Sequence, residues 1–351
     1  MILAADGPLK GRLEASGVTV EVLALDEEAR STTRLDVDPG AHTAVMGFRV
    51  LRYSWRLSRR IRQIRPDLVH TNSLKSAVYG SLAARLAGVP VICHLRDRLA
   101  TDYMSAWGRR MMRVVLRVLP QAVIANSRAT MATLAPSTSA VRIFGAVAYD
   151  PIPAHTRRGT EADEGPVVIG MVGRLSEWKG QHVFIEAFAR AFPRSGATAL
   201  IVGSAMFEDA AYEERIRRQV SDLGLDARVE LTGFAEDVNA YLSRMDILVH
   251  ASVIPEPFGQ VVVEGMAAAL PVIAADAGGP GETIIDGVDG LLYPPGDVEA
   301  LAAAMTRLAR SPERREAMGI AARRKAAEFR PGRIADQVMA VYRTLVPTAG
   351  G

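Results

Sequence analysis

Residues 255–274 read PEPFGQVVVEGMAAALPVIA, which sets Glu256 and Glu264 apart by seven mostly apolar residues. Paired carboxylates can share acid and base roles at a sugar bond. The surroundings of these two differ, however. Glu256 sits among Pro255, Pro257 and Gly259, and the prolines hold the backbone extended and stiff. Glu264 falls inside VVVEGMAAA, where an acid needs a partner that the hydroxyls of a ligand would supply. GMAAAL favours a helix from near Phe258–Gly259 to about Ala269, while the β-branched Val261–Val263 argue for a strand. On the helical reading Glu256 precedes the first turn and Glu264 lies one to two turns inside. The N–H groups of Phe258, Gly259 and Gln260 then point toward a ligand cleft.

Two further loops carry candidate chemistry. GRLSEWKGQ (173–181) gives a tight turn at Gly173, cations at Arg174 and Lys179, and free N–H groups at Gly180 and the start of a helix over Gln181–Ala191. That is an anion site suited to a diphosphate, although a plain turn with two solvated cations reads the same way. It is not a Walker A loop, since no Gly-Lys-Ser/Thr is present. In DAGGPGETIIDG (276–287), Gly278 and Gly279 allow close backbone approach to a ligand, and Glu282 lies in the short helix that follows.

The elements that must position these loops alternate from end to end. Strands are expected at Val18–Leu25, Leu68–Thr71, Pro90–Leu95 and Ala122–Ala125, then at Val167–Val172, Thr198–Val202, Val229–Thr232, Ile247–Ala251, Pro271–Ala275 and Gly290–Tyr293. Helical patterns such as Ala44–Ile64, Ser76–Ala87 and Ala106–Leu119 fall between them. Apolar strands alternating with helices mean parallel sheets covered on both faces, here an α/β chain of two Rossmann-like domains. The stretch 151–166, PIPAHTRRGTEADEGP, reads as the linker. The domains are placed at 1–155 and 156–332, with a helical tail at 333–351 packing back on the first. Ligands of such folds bind beyond the carboxyl ends of the strands.

The chain has 351 residues, 49% hydrophobic and 23% charged, as expected of a soluble protein. No apolar run reaches the roughly 18 residues of a membrane span, and the start lacks a signal-peptide pattern. A single cysteine, Cys93, excludes a disulfide framework or a cysteine zinc cluster. A cytoplasmic location fits. The net charge of +3 is unevenly spread: residues 1–165 hold 23 Lys/Arg against 15 Asp/Glu, and residues 166–351 hold 19 against 24. The basic segments WRLSRRIRQIR (55–65) and WGRRMMRVVLRVLP (107–120) suit an anionic membrane surface, or simply a solvated helix face. A nucleic-acid role is not expected, because no recognised module or stacking aromatics accompany them.

Taken together, Gly173-Arg174 with Lys179-Gly180, Glu256-Pro-Phe-Gly with seven residues to Glu264, Gly278-Gly279 with Glu282, and DGVDGLLYPPGD (286–297) resemble the retaining GT-B glycosyltransferases of family 4. The match covers about residues 166–330. The resemblance implies a nucleotide-sugar-binding second domain, an acceptor-binding first domain and an interdomain cleft. Arg174 and Lys179 would hold the donor diphosphate as it leaves, and Glu256 would contact the transferred sugar with the N–H groups of Phe258 and Gly259. Glu264 would bind the ribose hydroxyls, and Gly233-Phe234 would line the base. The two acids would thus read opposite ends of one nucleotide sugar. No metal or other cofactor is implied, and Asp36-Val37-Asp38 is read as a solvated loop.

In the first half, VHTNSLKSAVYG (69–80), VICHLRDR (91–98) and VIANSRAT (123–130) are similar to family segments at strand ends. His94 resembles a histidine placed near the reacting sugar, and His70, Asn72, Arg96 and Ser127 become candidates for acceptor contacts. Family chains usually open with a strand, a glycine-rich loop and a helix. Here MILAADGPLKGRLEASGVTVEVL is similar to the second such unit, so the resemblance implies that the first is missing. The expected reaction is sugar transfer with retention to a lipid-linked or other cell-envelope acceptor, at the inner face of the membrane. A GT-B sugar-nucleotide epimerase and a non-catalytic nucleotide-sugar binder remain as alternatives.

Overall fold

Ile247–His250 and Val272–Ala275 are buried at every position, the pattern of strands covered on both faces. The computed structural model that shows this describes residues 1–26, 41–102, 104–145, 165–194, 196–206 and 209–346. Asp36-Val37-Asp38 and the linker residues up to 164 lie outside the described residues.

The chain divides into two units, one of Met1–Asn126, Thr130–Arg142 and Met339–Gly351, the other of Ser127–Ala129 and Ile143–Val338. The first half runs β1 (Ile2–Leu3), α1 (Pro8–Ala15), β2 (Glu21–Val22), α2 (Ala41–Ile64), β3 (Val69–Thr71), α3 (Leu74–Ala87), β4 (Val91–Leu95), α4 (Ala106–Val118), β5 (Ala122–Ala125), α5 (Arg128–Met131) and β6 (Ala140–Arg142). The strands form two parallel ladders, β1-β2 and β3-β4-β5-β6. Among the described residues no ladder joins β1 to β3. The expected strand Val18–Leu25 shrinks to Glu21–Val22, because its partner β1 offers only Ile2 and Leu3 to pair with. β6 was not expected: it is an edge strand with an exposed centre and no apolar run to announce it.

The second half runs β7 (Val168–Val172), α6 (Gln181–Ala191), β8 (Thr198–Val202), α7 (Ala210–Asp222), β9 (Val229–Gly233), α8 (Val238–Leu242), β10 (Ile247–His250), α9 (Gln260–Ala267), β11 (Val272–Ala275), α10 (Gly279–Thr283), β12 (Gly290–Tyr293), α11 (Val298–Ala309) and α12 (Pro312–Ala326), before the last helix α13 (Pro331–Leu345). Its six strands are all parallel, in the order β12-β11-β10-β7-β8-β9. Alternate side chains feed two cores, as period-2 geometry demands. Ile169, Met171, Ile247 and Val249 pack with Phe184 and Phe188 of α6 on one face. Leu248, Val272 and Ala274 pack with Val262 and Met266 of α9 on the other. Among the described residues no helix is long and apolar enough to cross a membrane.

Candidate functional site

In the second unit β7 and β10 are neighbours, yet the chain leaves them in opposite directions, toward β8 and β11. Loops at the carboxyl ends of such a pair diverge and leave a crevice. One is the 173–180 loop and the other is 251–259. They meet at Gly180, whose φ is +79°, and a Cβ there would lie 2.0 Å from the Ala251 carbonyl oxygen. This contact, which only glycine permits, delivers Lys179 to Glu256.

Lys179 Nζ stands 2.9 Å from Oε1 and 2.8 Å from Oε2 of Glu256 and 4.3 Å from the centre of the Trp178 ring. His250 Nε2 lies 2.7 Å from Oε2, and Ser252 Oγ donates to the same oxygen at 3.1 Å. A carboxylate only accepts, so His250 donates through Nε2. Burial pushes the Glu256 pKa up, but His250 and then Lys179 outweigh it and hold the group well below the usual carboxylate range. Among the described residues the buried His250 Nδ1 meets no partner. His250 and Ser252 escaped the sequence reading; the signal was a polar HAS closing an otherwise apolar strand just before the proline loop.

The loop before α10 docks on this segment backbone to backbone. Gly279 N–H donates to Glu256 O at 2.8 Å, and a Cβ on Gly278, whose φ is +69°, would sit 2.1 Å from that oxygen. The close approach that Gly278 and Gly279 permit is therefore to Glu256–Phe258. The Phe258 ring is buried near Phe144 and Phe329, so its backbone is the part left for a ligand. Among the described residues no acceptor meets the N–H groups of Phe258 and Gly259. Glu264, half-buried on α9, accepts from Gln260 Nε2 at 2.8 Å; burial raises its pKa and the Gln260 bond opposes that. Glu282 is committed elsewhere: its carboxylate accepts the N–H groups of Arg128 and Ala129 at 2.8 and 2.7 Å and caps α5.

Gly173 follows β7 and donates to Val202 O. Arg174 is exposed, its Nε 3.6 Å from Asp209 Oδ2. Gly233 closes β9, and the Phe234 ring beyond it is 79% exposed. Among the described residues no group of three or more His, Cys, Asp or Glu could hold a metal ion.

In the first unit His94 lies on the fully buried β4, and among the described residues its Nε2 meets no partner. Burial, then Arg96 and His70, push its pKa down to about 3. The His70 ring is 5.4 Å from that of His94, and its Nδ1 bonds the Tyr342 hydroxyl of α13. Arg96 Nε donates to Asn72 Oδ1 at 2.8 Å. Ser127, which belongs to the second unit, is buried beyond β5. Asn126, which the sequence did not single out, has a buried Oδ1 that meets no partner among the described residues.

Comparison with known proteins matches two family profiles, "Glycosyl transferases group 1" over residues 154–325 and "Glycosyl transferase 4-like domain" over 9–149. A D-inositol 3-phosphate glycosyltransferase of Rhodococcus opacus is 30% identical over 298 residues, 79% of this chain and 67% of that protein. The lipopolysaccharide core biosynthesis glycosyltransferase LpsE of Rhizobium meliloti is 34% identical over 149 residues, 42% of this chain and only 41% of LpsE. The crystal structure of Anabaena Alr3699/HepE with UDP and glucose superposes with a TM-score of 0.81 at 27% identity, covering 98% of this chain and 91% of that one. Profiles over both halves, a relative aligned over most of the chain and a shared architecture agree: the chain belongs to the glycosyl transferases group 1 family, the GT-B glycosyltransferases of family 4 type.

Proposed function

We propose that this chain transfers a sugar from a nucleotide diphosphate sugar to a cell-envelope acceptor, polysaccharide or lipid-linked, with retention and without a metal. The observation that carries this reading is the Lys179–Glu256–His250 cluster at the switch point of the second unit. The names of the relatives and the UDP-bound neighbour support the donor class.

Lys179 and Arg174 take the charge of the departing diphosphate. Glu256 holds Lys179 in place beforehand, so the cation is preorganised when charge develops. Glu256 also accepts from sugar hydroxyls, the free N–H groups of Phe258 and Gly259 donate to the donor, Glu264 takes the ribose hydroxyls, and Phe234 faces the base. His94 of the first unit is assigned to a sugar hydroxyl, and His70, Asn72 and Arg96 of that unit, with Ser127 of the second, to the acceptor. The donor C1–O bond breaks toward the diphosphate, and the acceptor oxygen bonds C1 on the same face. Its proton passes to the leaving phosphate oxygen. A lipid-linked acceptor places the enzyme at the inner membrane face.

The test is acceptor-dependent release of nucleoside diphosphate, with and without EDTA, and NMR of the product anomer. Transfer with a retained anomer, unaffected by EDTA, is expected. An isomerised free donor would make the chain an epimerase, and binding without turnover would make it a binder.

A further inference from the structure

The helices α2, α3 and α4 carry six, two and four Lys or Arg respectively, and not one Asp or Glu. They form one layer. α3 and α4 connect successive parallel strands, β3 to β4 to β5, and right-handed crossovers place both on the same sheet face. α2 packs on α3, with Tyr53, Leu57 and Ile61 meeting Ala83, and α4 buries Met112 and Leu116 beside Ala77 of α3. Ordinary surfaces mix both signs, as α7 does with its Glu213–Arg217 and Glu214–Arg218 pairs. On α2 and α4 only Arg49 and Arg60 find carboxylates among the described residues, Asp26 and Glu21. Among the described residues Arg52, Arg56, Arg59, Arg110 and Arg117 pair with no carboxylate.

The outward faces of the same helices are apolar as well as basic. On α2, Val45, Phe48, Leu51 and Trp55 are exposed at helical spacing, Phe48 by 68% and Trp55 by 54%, and the Arg59 guanidinium lies 4.9 Å from the Trp55 ring. On α4, Val114 and Val118 are exposed between arginines. Beside Val114 is a cavity of about 320 Å³ walled by Arg109, Arg110, Arg113 and Arg117. Arg113 is fixed there by donating to Thr133 O at 2.8 Å.

We infer that this layer docks on a bilayer of anionic lipids, with the arginines on headgroup phosphates and the apolar side chains in the acyl boundary. A second copy would bring like charges together, and a nucleic acid would leave Phe48, Leu51 and Trp55 without a partner. The surface stands on its own observations. It deepens the proposed function by naming the face at which a lipid-linked acceptor is met.

The test is co-sedimentation of the full chain with vesicles of phosphatidylcholine alone and with a third phosphatidylglycerol, at low and high salt. Trp55 emission is read in parallel, with Trp55→Phe as its control. Binding to the anionic vesicles only, a blue shift that Trp55→Phe removes, and at least tenfold weaker binding for Phe48→Ser/Leu51→Ser and for Arg52→Glu/Arg56→Glu are expected. Nucleoside diphosphate binding, measured on the same variants, should not change; its loss in wild type would overturn the donor reading and leave the docking result intact. No vesicle binding would overturn the inference. So would binding to a short DNA duplex that matches vesicle binding and ignores the Phe48→Ser/Leu51→Ser change.

Discussion

Lys179 and Glu256, 77 positions apart in the chain, form an ion pair in which Nζ reaches both carboxylate oxygens within 2.9 Å. Both side chains are largely buried, and neither could be left alone there at low cost. The pair ties the loop after β7 to the loop after β10, so it supports the site's shape as well as its charge.

Lys179→Ala should lower kcat by about 10²–10³, the usual effect of losing a preorganised charge at a leaving group. The chain should stay folded with a lower Tm, since His250 and Ser252 still hold Glu256. Steady-state rates with a melting curve check this; near-normal turnover refutes the role.

His250 has no ligand to touch in this account; it positions Glu256. His250→Phe removes the 2.7 Å bond and should cut kcat about tenfold with little change in donor affinity. His250→Gln keeps an N–H donor and should recover part of the loss. A purely structural role would lower the Tm of both variants and leave kcat of the folded fraction unchanged.

Glu282→Ala separates two roles for one carboxylate. As the cap of α5 it should cost about 1 kcal/mol of stability, read by urea unfolding, with nucleotide affinity unchanged. Weaker nucleotide binding at unchanged stability would instead put Glu282 on the donor.

Phe234→Ala addresses the base. The ring is exposed, so stability should stay within about 0.5 kcal/mol. Stacking on a base contributes about 1–3 kcal/mol, and calorimetry should show nucleotide affinity falling about tenfold or more.

Stability should fall with acid in two stages. His94 and His70 have folded pKa values pushed down to about 3 and about 4, by burial first and then by Arg96. Below about pH 6.5 the unfolded chain binds protons that the native chain refuses, so each removes up to about 1.4 kcal/mol per pH unit until its folded pKa is reached. Glu256 acts lower: its depressed pKa contributes stability above about pH 4.5 that disappears as pH falls through the folded value. Melting curves of His94→Gln should be flatter than wild type between pH 6.5 and 4.

Much of this was legible in the sequence because parallel strands buried on both faces are written as apolar runs; Thr198–Val202 and Gly290–Tyr293 fall at the expected residues. Glu256, Arg174 and Lys179 stood out because they sit in glycine and proline loops after such strands, and Glu264 because it interrupts an apolar run. His250 did not, since a histidine ending a strand looks like any strand end until the fold brings a carboxylate to it. The commitment of Glu282 to α5 was equally hidden, because it depends on a segment about 150 positions away. Exposure also could not be read: helical spacing marks the core face of α2, while Phe48 and Trp55 on the outer face need coordinates.

The donor site at Lys179 and Glu256 is tested by calorimetric titration of wild type and Lys179→Ala with UDP, GDP and ADP. One of the three should bind wild type, and Lys179→Ala, still folded, should bind it at least tenfold more weakly. Equal binding by both proteins, or no binding of any nucleotide to a cooperatively melting wild type, would contradict a donor site at Lys179 and Glu256.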